Sequence, residues 1–292
     1  MNIQQRYLDL LRKSLINELY LENDARLMYL SGAVVLGTHM DADVLRNIGA
    51  RLPDVVATLA KNREEGRPWW NVPMKKKDGT PAIVSFRNHV DFSHSMIGTL
   101  RMRNIEECLD VIRQENIPGD LAETGVWRGG SAIFMRAYLA AYEMPGRLVW
   151  AADSFEGLPA PSHAADQGYD FSAKVVPVLA VSLEEVKGVF ARYGLLDDRV
   201  KFLKGWFRDT LPTAPIGDLA LLRLDGDLYE STWDALDALY RKVVPGGFVL
   251  VDDYGDFPPC RQAVDEFRQQ HGIREPIQQV DWSGIYWRRA KE

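Results

Sequence analysis

The feature that most constrains the fold is a regular alternation, from about Gly119 onward, of short apolar runs with amphipathic stretches. Such alternation is typical of repeated strand and helix units, whose strands form a largely parallel sheet. The final stretch, EPIQQVDWSGIYWRRA, has the pattern of two short strands joined by a turn at Ser283 and Gly284, so we expect the last strand to be antiparallel. The earlier apolar runs predict strands near Leu121 and at 148–152, 200–203, 219–224 and 248–251.

Two helices between these strands carry recognisable boundary signals. Ser182 followed three residues later by Glu185 is a capping box, which predicts that a helix begins there. The stretch STWDALDALYRKVVPGG predicts a helix that begins at Ser231 and stops at Pro245, Gly246 and Gly247, because proline and glycine commonly follow a helix end.

Residues 1–118 have a different organisation. Helical patterns at 3–21, 42–62 and 100–116 are separated by irregular sequence, and Asp78 with Gly79 is a hairpin-type turn signal. We therefore predict an N-terminal helical extension or lid over residues 1–118 and a sheet domain over 119–292.

Composition excludes several classes of protein. The chain has 292 residues, is 46% hydrophobic and carries a formal net charge of -6, which allows a large core and disfavours nucleic-acid binding. The two cysteines have no spacing typical of a zinc site or a disulfide framework. The N-terminal stretch lacks the continuous apolar region of a signal peptide, and no run is long enough to span a membrane. We expect a cytoplasmic protein without a membrane or nucleic-acid partner.

A glycine-containing loop follows the first predicted strand of the sheet domain. In ETGVWRGG, Glu123 and Gly125 precede the next helix, and Asp153 ends the second strand 28 residues after Gly125. Glycines at this junction fit either a tight turn or a ligand close to the backbone, and an acid after the second strand favours an adenosine-type cofactor. Glu123 stands where a pyrophosphate-binding loop has its first glycine, so the loop suits a cofactor with a cationic end and no phosphates. S-adenosylmethionine is such a molecule.

Carboxylates follow two further strands. Asp225 and Asp227 come after LALLRL, and Asp252 and Asp253 come after GGFVLV, one strand and helix unit later. Parallel strands would bring these four side chains together, which is unfavourable unless a proton or cation neutralises them. Oxygen ligands of this kind select Mg²⁺ or Ca²⁺, with Mn²⁺ as a further option. The alternative is a simple turn at Asp225 and Gly226 with solvated carboxylates and no metal.

Long motifs in this chain closely resemble the macrocin O-methyltransferase family. They are DLAETGVWRGGSAIFMRA, ADSFEGLP, VKFLKGWFRDTLP, LRLDGDLYESTWDALDALYRKVVPGGFVLVDDYGDFPPCRQAVDEF and DWSGIYWRR. The resemblance implies a Rossmann-like class I methyltransferase fold in the α/β class. It also implies S-adenosylmethionine as cofactor, Mg²⁺ as metal, and methylation of sugar hydroxyls on macrolides and aminocoumarins.

The resemblance also implies roles for individual residues. The family's metal ligands fall on Asp225, Asp252 and Asp253, its general base falls on Asp227, and Asp225 belongs with Asp227 to the catalytic set. Contacts to the cofactor are implied for Met96, Glu123, Thr124, Gly125, Asp153, Ser154, Ser182, Trp206 and Asp225. The long segment between Tyr20 and Phe92 departs from the antibiotic sugar enzymes. The identity of the acceptor is therefore the property that the resemblance carries over least well to this chain.

The resulting hypothesis is an in-line transfer of the cofactor methyl group to a hydroxyl of a glycosylated natural product. The metal would chelate two vicinal acceptor oxygens, and Asp227 would take the hydroxyl proton. A catechol would present the same chelate, so an aromatic natural product is an alternative acceptor. A binding protein without catalytic activity is the alternative outside enzymes. We also expect a homo-oligomer.

Overall fold

The computed structural model describes residues 1–37, 40–67, 69–87 and 93–290. The chain divides into two compact units. One consists of Leu10–Leu100, and the other of Met1–Asp9 together with Arg101–Glu292. The domain boundary expected at residue 118 stays a prediction.

The described ranges contain helices and strands that we number in chain order. Helices α1 to α11 span Ile3–Leu15, Leu21–Leu36, Ala42–Arg46, Ile48–Arg51, Pro53–Glu65, Gly98–Gln114, Gly130–Ala141, Leu183–Arg192, Phe207–Thr210, Tyr229–Leu239 and Pro258–Gln270. Strands β1 to β9 span Trp69–Lys75, Pro81–Arg87, Asp120–Thr124, Val149–Asp153, Val200–Lys204, Leu219–Leu224, Val243–Val251, Gln278–Gln279 and Ile285–Arg288.

The larger unit is built on one seven-stranded sheet, in the order β5-β4-β3-β6-β7-β9-β8. Strands β3 to β7 are parallel, and β9 pairs antiparallel with β7. The predicted α/β class, the mostly parallel sheet and the antiparallel final strand are therefore confirmed. The chain runs outward from β3 to β5 and then returns to the other side of β3 at β6. At such a switch point the connections after the two strands diverge and leave a crevice at their carboxyl ends.

The strands beside this crevice are anchored by a core on one face of the sheet. Leu236 and Leu239 of α10, Val264 and Phe267 of α11, and Trp287 of β9 belong to one buried cluster with the apolar residues of β6 and β7. Burial of each such side chain stabilises the fold by about 1.5–3 kcal/mol. The ends of β6 and β7 are therefore fixed by packing below the crevice.

The capping box at the start of α8 is confirmed, but the limits expected for the helix after β6, α10, are wrong. Ser182 and Glu185 exchange both capping hydrogen bonds at the start of α8. Helix α10 begins at Tyr229, two residues before Ser231, and ends at Leu239. Pro245 lies within β7, where the pairing with β6 is irregular, so this proline and the two glycines after it mark a bulge in a strand.

The smaller unit has a small core around Ala25, Ile48 and Leu59. The hairpin predicted from Asp78 and Gly79 is confirmed, since β1 and β2 pair antiparallel on either side of it. None of the helices in the described ranges is long and apolar enough to cross a bilayer.

The long helices predicted for the first 62 residues are interrupted. The helix expected over 3–21 ends at Leu15, because Asn17 adopts a left-handed backbone with φ of 56°. The helix expected over 42–62 is three helices, and the last begins at Pro53, whose ring disfavours a helical residue before it. The helix expected over 100–116 is α6 at Gly98–Gln114.

Candidate active site

The crevice is lined by the first residues after four neighbouring parallel strands. Main-chain hydrogen bonds continue the sheet past its last strand residues: the Gly125 N–H donates to the Ala152 carbonyl (2.9 Å), and the Asp225 N–H donates to the Thr124 carbonyl (2.8 Å). Gly125 has a φ of +88°, and a Cβ on this residue would lie 1.6 Å from the carbonyl oxygen of Asp225. The close approach of the two loops therefore requires glycine at this position.

Asp153 fastens the glycine loop to the end of β4. Its Oδ2 accepts from the Val126 N–H (2.6 Å) and the Trp127 N–H (3.4 Å), and its Oδ1 accepts from the Phe155 N–H (2.7 Å). Burial raises the pKa of Asp153 although these donors oppose the shift. Both oxygens thus already hold the main chain of the crevice. The expected contact of Asp153 with a ribose stays a prediction.

Glu123 is a fully buried carboxylate within β3. Its Oε1 accepts from Arg223 Nη1 (2.6 Å) and from the Ser131 hydroxyl, whereas its Oε2 has no hydrogen-bond partner among the described residues. Burial raises the pKa of Glu123 to about 7, against the lowering influence of Arg223. One oxygen is therefore held by the protein, and the other has no donor among the described residues.

Three aspartates form a carboxylate cluster at the ends of β6 and β7. Oxygens of Asp225, Asp227 and Asp253 all lie within 4.8 Å of one another. The Asp227 N–H donates to Asp253 Oδ2 (3.2 Å), and a left-handed backbone with φ of 58° at Asp227 turns the chain there. Sequence reasoning correctly placed these side chains at one edge of the sheet.

Mutual repulsion and burial make ionisation of this cluster unfavourable. The pKa of Asp225 rises to about 6, because of burial and the Asp252 carboxylate. The pKa of Asp253 is raised well above its ordinary value by burial and by Asp227 and Asp225. A divalent cation would remove this repulsion, and carboxylate oxygens are suitable ligands for Mg²⁺.

Asp252 lies beside the cluster in a different environment. Its Oδ1 accepts from Arg223 and its Oδ2 accepts from Arg101, so both oxygens are bonded to guanidinium groups. The structure brings Asp227 into the carboxylate cluster and holds Asp252 next to it. The ligand role of Asp252 and the base role of Asp227 stay predictions.

Sequence reasoning missed the arginines of this site. Arg223 contacts Glu123, Asp225 (2.7 Å from Nη1 to Oδ2) and Asp252, and Arg101 contacts both Asp252 and Asp281 (2.9 Å from Nε to Oδ2). A detectable signal existed for Arg223, since a charged residue inside the fully buried run LALLRL needs buried acidic partners. Arg101 sits on α6, and nothing in the local sequence distinguishes it from a solvent-exposed arginine.

Three of the other residues expected at the cofactor have hydrogen-bond partners within the chain. Thr124 is buried and its hydroxyl approaches the Arg223 carbonyl (3.4 Å), and the Ser154 hydroxyl donates to the Gly157 carbonyl (2.6 Å). Ser182 caps α8, and Trp206 occupies the residue before α9. Met96 belongs to the smaller unit. Their contacts with a cofactor stay predictions.

Comparison with known proteins identifies the family. The family model for Macrocin-O-methyltransferase (TylF) matches residues 4–289. The chain belongs to the macrocin O-methyltransferase family. It is therefore an O-methyltransferase, and its methyltransferase fold implies S-adenosylmethionine as the methyl donor.

Curated members of the macrocin O-methyltransferase family share about half of the aligned residues. The chain is 51% identical over 216 residues, 73% of this chain and 82% of the relative, to 8-demethyl-8-(2,3-dimethoxy-alpha-L-rhamnosyl)-tetracenomycin-C 4'-O-methyltransferase from Streptomyces olivaceus. It is 47% identical over 215 residues, 72% of this chain and 84% of the relative, to mycinamicin III 3''-O-methyltransferase from Micromonospora griseorubida.

A solved structure supports the same fold. The O-methyltransferase NovP superposes with a TM-score of 0.75 at 40% sequence identity, covering 99% of this chain and 100% of NovP. The similarity extends over the sheet, the crevice and the N-terminal part of the chain.

Proposed function

We propose that this chain transfers a methyl group from S-adenosylmethionine to a sugar hydroxyl of a glycosylated natural product, with a divalent cation at the carboxylate cluster. The observation that carries the proposal is the convergence of Asp225, Asp227 and Asp253 within 4.8 Å, directly after strands of a methyltransferase fold. The names of two relatives specify a rhamnosyl-tetracenomycin and mycinamicin III, which supports a glycoside as the acceptor class.

The residues present fit a hard divalent cation. All donors in the cluster are carboxylate oxygens. Burial first, and then repulsion by neighbouring carboxylates, raise the pKa values of Asp225 and Asp253, and a bound cation would favour their charged forms. Asp225 and Asp253 belong both to the ligand set implied by the sequence and to the observed cluster, so we propose them as ligands. A bound Mg²⁺ ion supplies Lewis acidity, which makes a nearby hydroxyl more acidic.

The residues of the chain have separate tasks in the transfer. The acceptor oxygen forms a C–O bond while the C–S bond of the sulfonium donor breaks, and the hydroxyl proton must leave. Asp227 is the proposed acceptor of that proton, since its carboxylate lies in the cluster beside the proposed ligands. Glu123 and the glycine loop are proposed to hold the donor, because the free Oε2 of Glu123 can accept from its ammonium group.

The first experiment tests the reaction and the cation together. Purified protein with S-adenosylmethionine is offered matched panels of deoxysugar glycosides and catechols, and methylated products are measured by mass spectrometry. We expect methylation of a glycoside, loss of activity in EDTA and recovery with Mg²⁺. Full activity after metal removal would refute the cation, and methylation of catechols alone would refute the sugar acceptor.

A second experiment distinguishes the aspartates that bind the cation from the aspartate that takes the hydroxyl proton. Mn²⁺ binding, followed by electron paramagnetic resonance of the free ion, is compared for Asp253→Asn, Asp252→Asn and Asp227→Asn. A ligand change should weaken Mn²⁺ binding at least tenfold, whereas Asp227→Asn should reduce kcat with Mn²⁺ binding nearly intact. Weakened Mn²⁺ binding in Asp227→Asn together with normal binding in Asp252→Asn would show that Asp227 is a ligand and Asp252 is not.

We also propose that the protein is a homo-oligomer and that it is located in the cytoplasm. A homo-oligomer is tested by light scattering during size-exclusion chromatography, and a cytoplasmic location by fractionation of the producing cells. A monomer in the first experiment would contradict the expected assembly without affecting the proposed reaction.

A further inference from the structure

The two oxygens of Glu123 have unequal surroundings. Oε1 accepts two hydrogen bonds, from Arg223 Nη1 (2.6 Å) and from the Ser131 hydroxyl at the start of α7. Oε2 is buried and has no partner among the described residues. A buried carboxylate oxygen without a donor is costly, so this arrangement persists only if it serves a ligand or is offset elsewhere.

The donors of Oε1 come from two directions. Ser131 approaches from the first turn of α7, and Arg223 approaches from the neighbouring strand β6. Two donors from different directions restrict the position of Oε1, and hence the orientation of the carboxylate plane, more than one donor would.

We propose that Ser131 and Arg223 are positioning residues which hold Oε1 of Glu123 so that Oε2 stays available to a cationic N–H donor of the cofactor. The inference rests on the proposed function, since it assumes that the cofactor binds beside Glu123. Neither residue needs to touch the cofactor, and each acts through the geometry of the same carboxylate.

Arg223 differs from Ser131 in its other contacts. Its Nη1 also donates to Asp225 Oδ2 (2.7 Å), and its Nη2 donates to Asp252. Loss of the Arg223 fork should therefore disturb the cation site together with the cofactor site, whereas loss of the Ser131 hydroxyl should disturb the cofactor site alone. This difference gives the proposal a specific signature.

The test measures the affinity for S-adenosylhomocysteine by calorimetry in wild type, Ser131→Ala and Arg223→Lys. Thr232→Val is the matched control, because Thr232 is another buried hydroxyl of the same unit, and its partner is the thiol of Cys260 (3.6 Å). We expect about tenfold weaker binding for Ser131→Ala, the size of one hydrogen bond to a charged group, and no change for Thr232→Val. Mn²⁺ affinity should fall only in Arg223→Lys.

A steady-state measurement excludes a merely structural role. Ser131→Ala should raise KM for S-adenosylmethionine about tenfold and leave kcat within twofold, while a fold defect would lower the melting temperature and kcat at unchanged KM. Affinity for S-adenosylhomocysteine equal to that of the control would overturn the inference. A wild-type protein that binds no S-adenosylhomocysteine would instead overturn the proposed function, so the two failures are distinguishable. If Arg223→Lys does not fold, the Ser131→Ala result alone decides.

Discussion

Substitution of Gly125 by alanine should destabilise the protein more than the same change at an unobstructed glycine. A Cβ on Gly125 would lie 1.6 Å from the Asp225 carbonyl oxygen, and real Cβ contacts essentially never fall below 3.0 Å. The loops after β3 and β6 would have to separate by more than an ångström. That movement would break the hydrogen bond from the Asp225 N–H to the Thr124 carbonyl, now 2.8 Å long.

The cost has two terms that can be estimated. Alanine in the left-handed region, at the φ of +88° seen here, costs about 1–2 kcal/mol. Loss of the main-chain hydrogen bond adds about 1 kcal/mol. We therefore expect a loss of about 2–3 kcal/mol in the free energy of unfolding, which corresponds to a fall in melting temperature of about 4–12 °C.

Gly194→Ala is the control for the conformational term. Gly194 also has a positive φ, +68°, but nothing lies within 4 Å of the position of an added Cβ. This variant should lose only the conformational term of about 1–2 kcal/mol, or about 2–8 °C in melting temperature. Differential scanning calorimetry of both variants measures the difference. Equal shifts for the two would refute the argument that the approach of Gly125 to Asp225 dictates glycine.

Two further predictions use the titratable groups of the larger unit. The pKa of Asp234 is raised to about 6 by burial and by the carboxylates of Glu230 and Asp237, so its ionisation costs stability as the pH rises from about 4 through 6. Asp234→Asn should therefore be more stable than wild type at pH 7–8, by less than about 1 kcal/mol because solvent screens a partly exposed group, and the gain should vanish below pH 4 in urea titrations. Burial raises the pKa of both Cys108 and Cys260, so iodoacetamide at pH 8 should label neither thiol in the native protein, and rapid labelling seen by mass spectrometry would contradict the burial.

Local sequence patterns predicted the sheet well, because most strands of the larger unit are short apolar runs between breakers. The capping box at Ser182 and the turn at Asp78 and Gly79 were also predicted correctly, because their hydrogen bonds connect residues that are close in the chain. Pro245 and Gly246 were misread as a helix end because they carry the same signal in a bulged strand. Only the pairing with a neighbouring strand, which is not local, distinguishes the two.

The candidate site was predictable where topology alone determines neighbours. Parallel strands one helix apart bring their carboxyl ends together, which was enough to place Asp225 and Asp227 beside Asp253. The same rule says nothing about how each carboxylate is used. Asp153 lies where expected, at the end of β4, yet its oxygens accept from the main chain of the glycine loop.

The partners of the acidic residues required three-dimensional information. Arg223 lies 100 positions from Glu123 in sequence and reaches it across adjacent strands, and Arg101 reaches Asp252 from a helix 151 positions away. These two guanidinium groups engage Glu123, Asp225 and Asp252, and Asp227 and Asp253 meet Asp225 in the carboxylate cluster. Fixed arginines hold the residues that shape the crevice, whereas the proposed cation would neutralise the carboxylate cluster only while it is bound. Under that proposal, the arginine contacts are permanent and the cation is exchangeable.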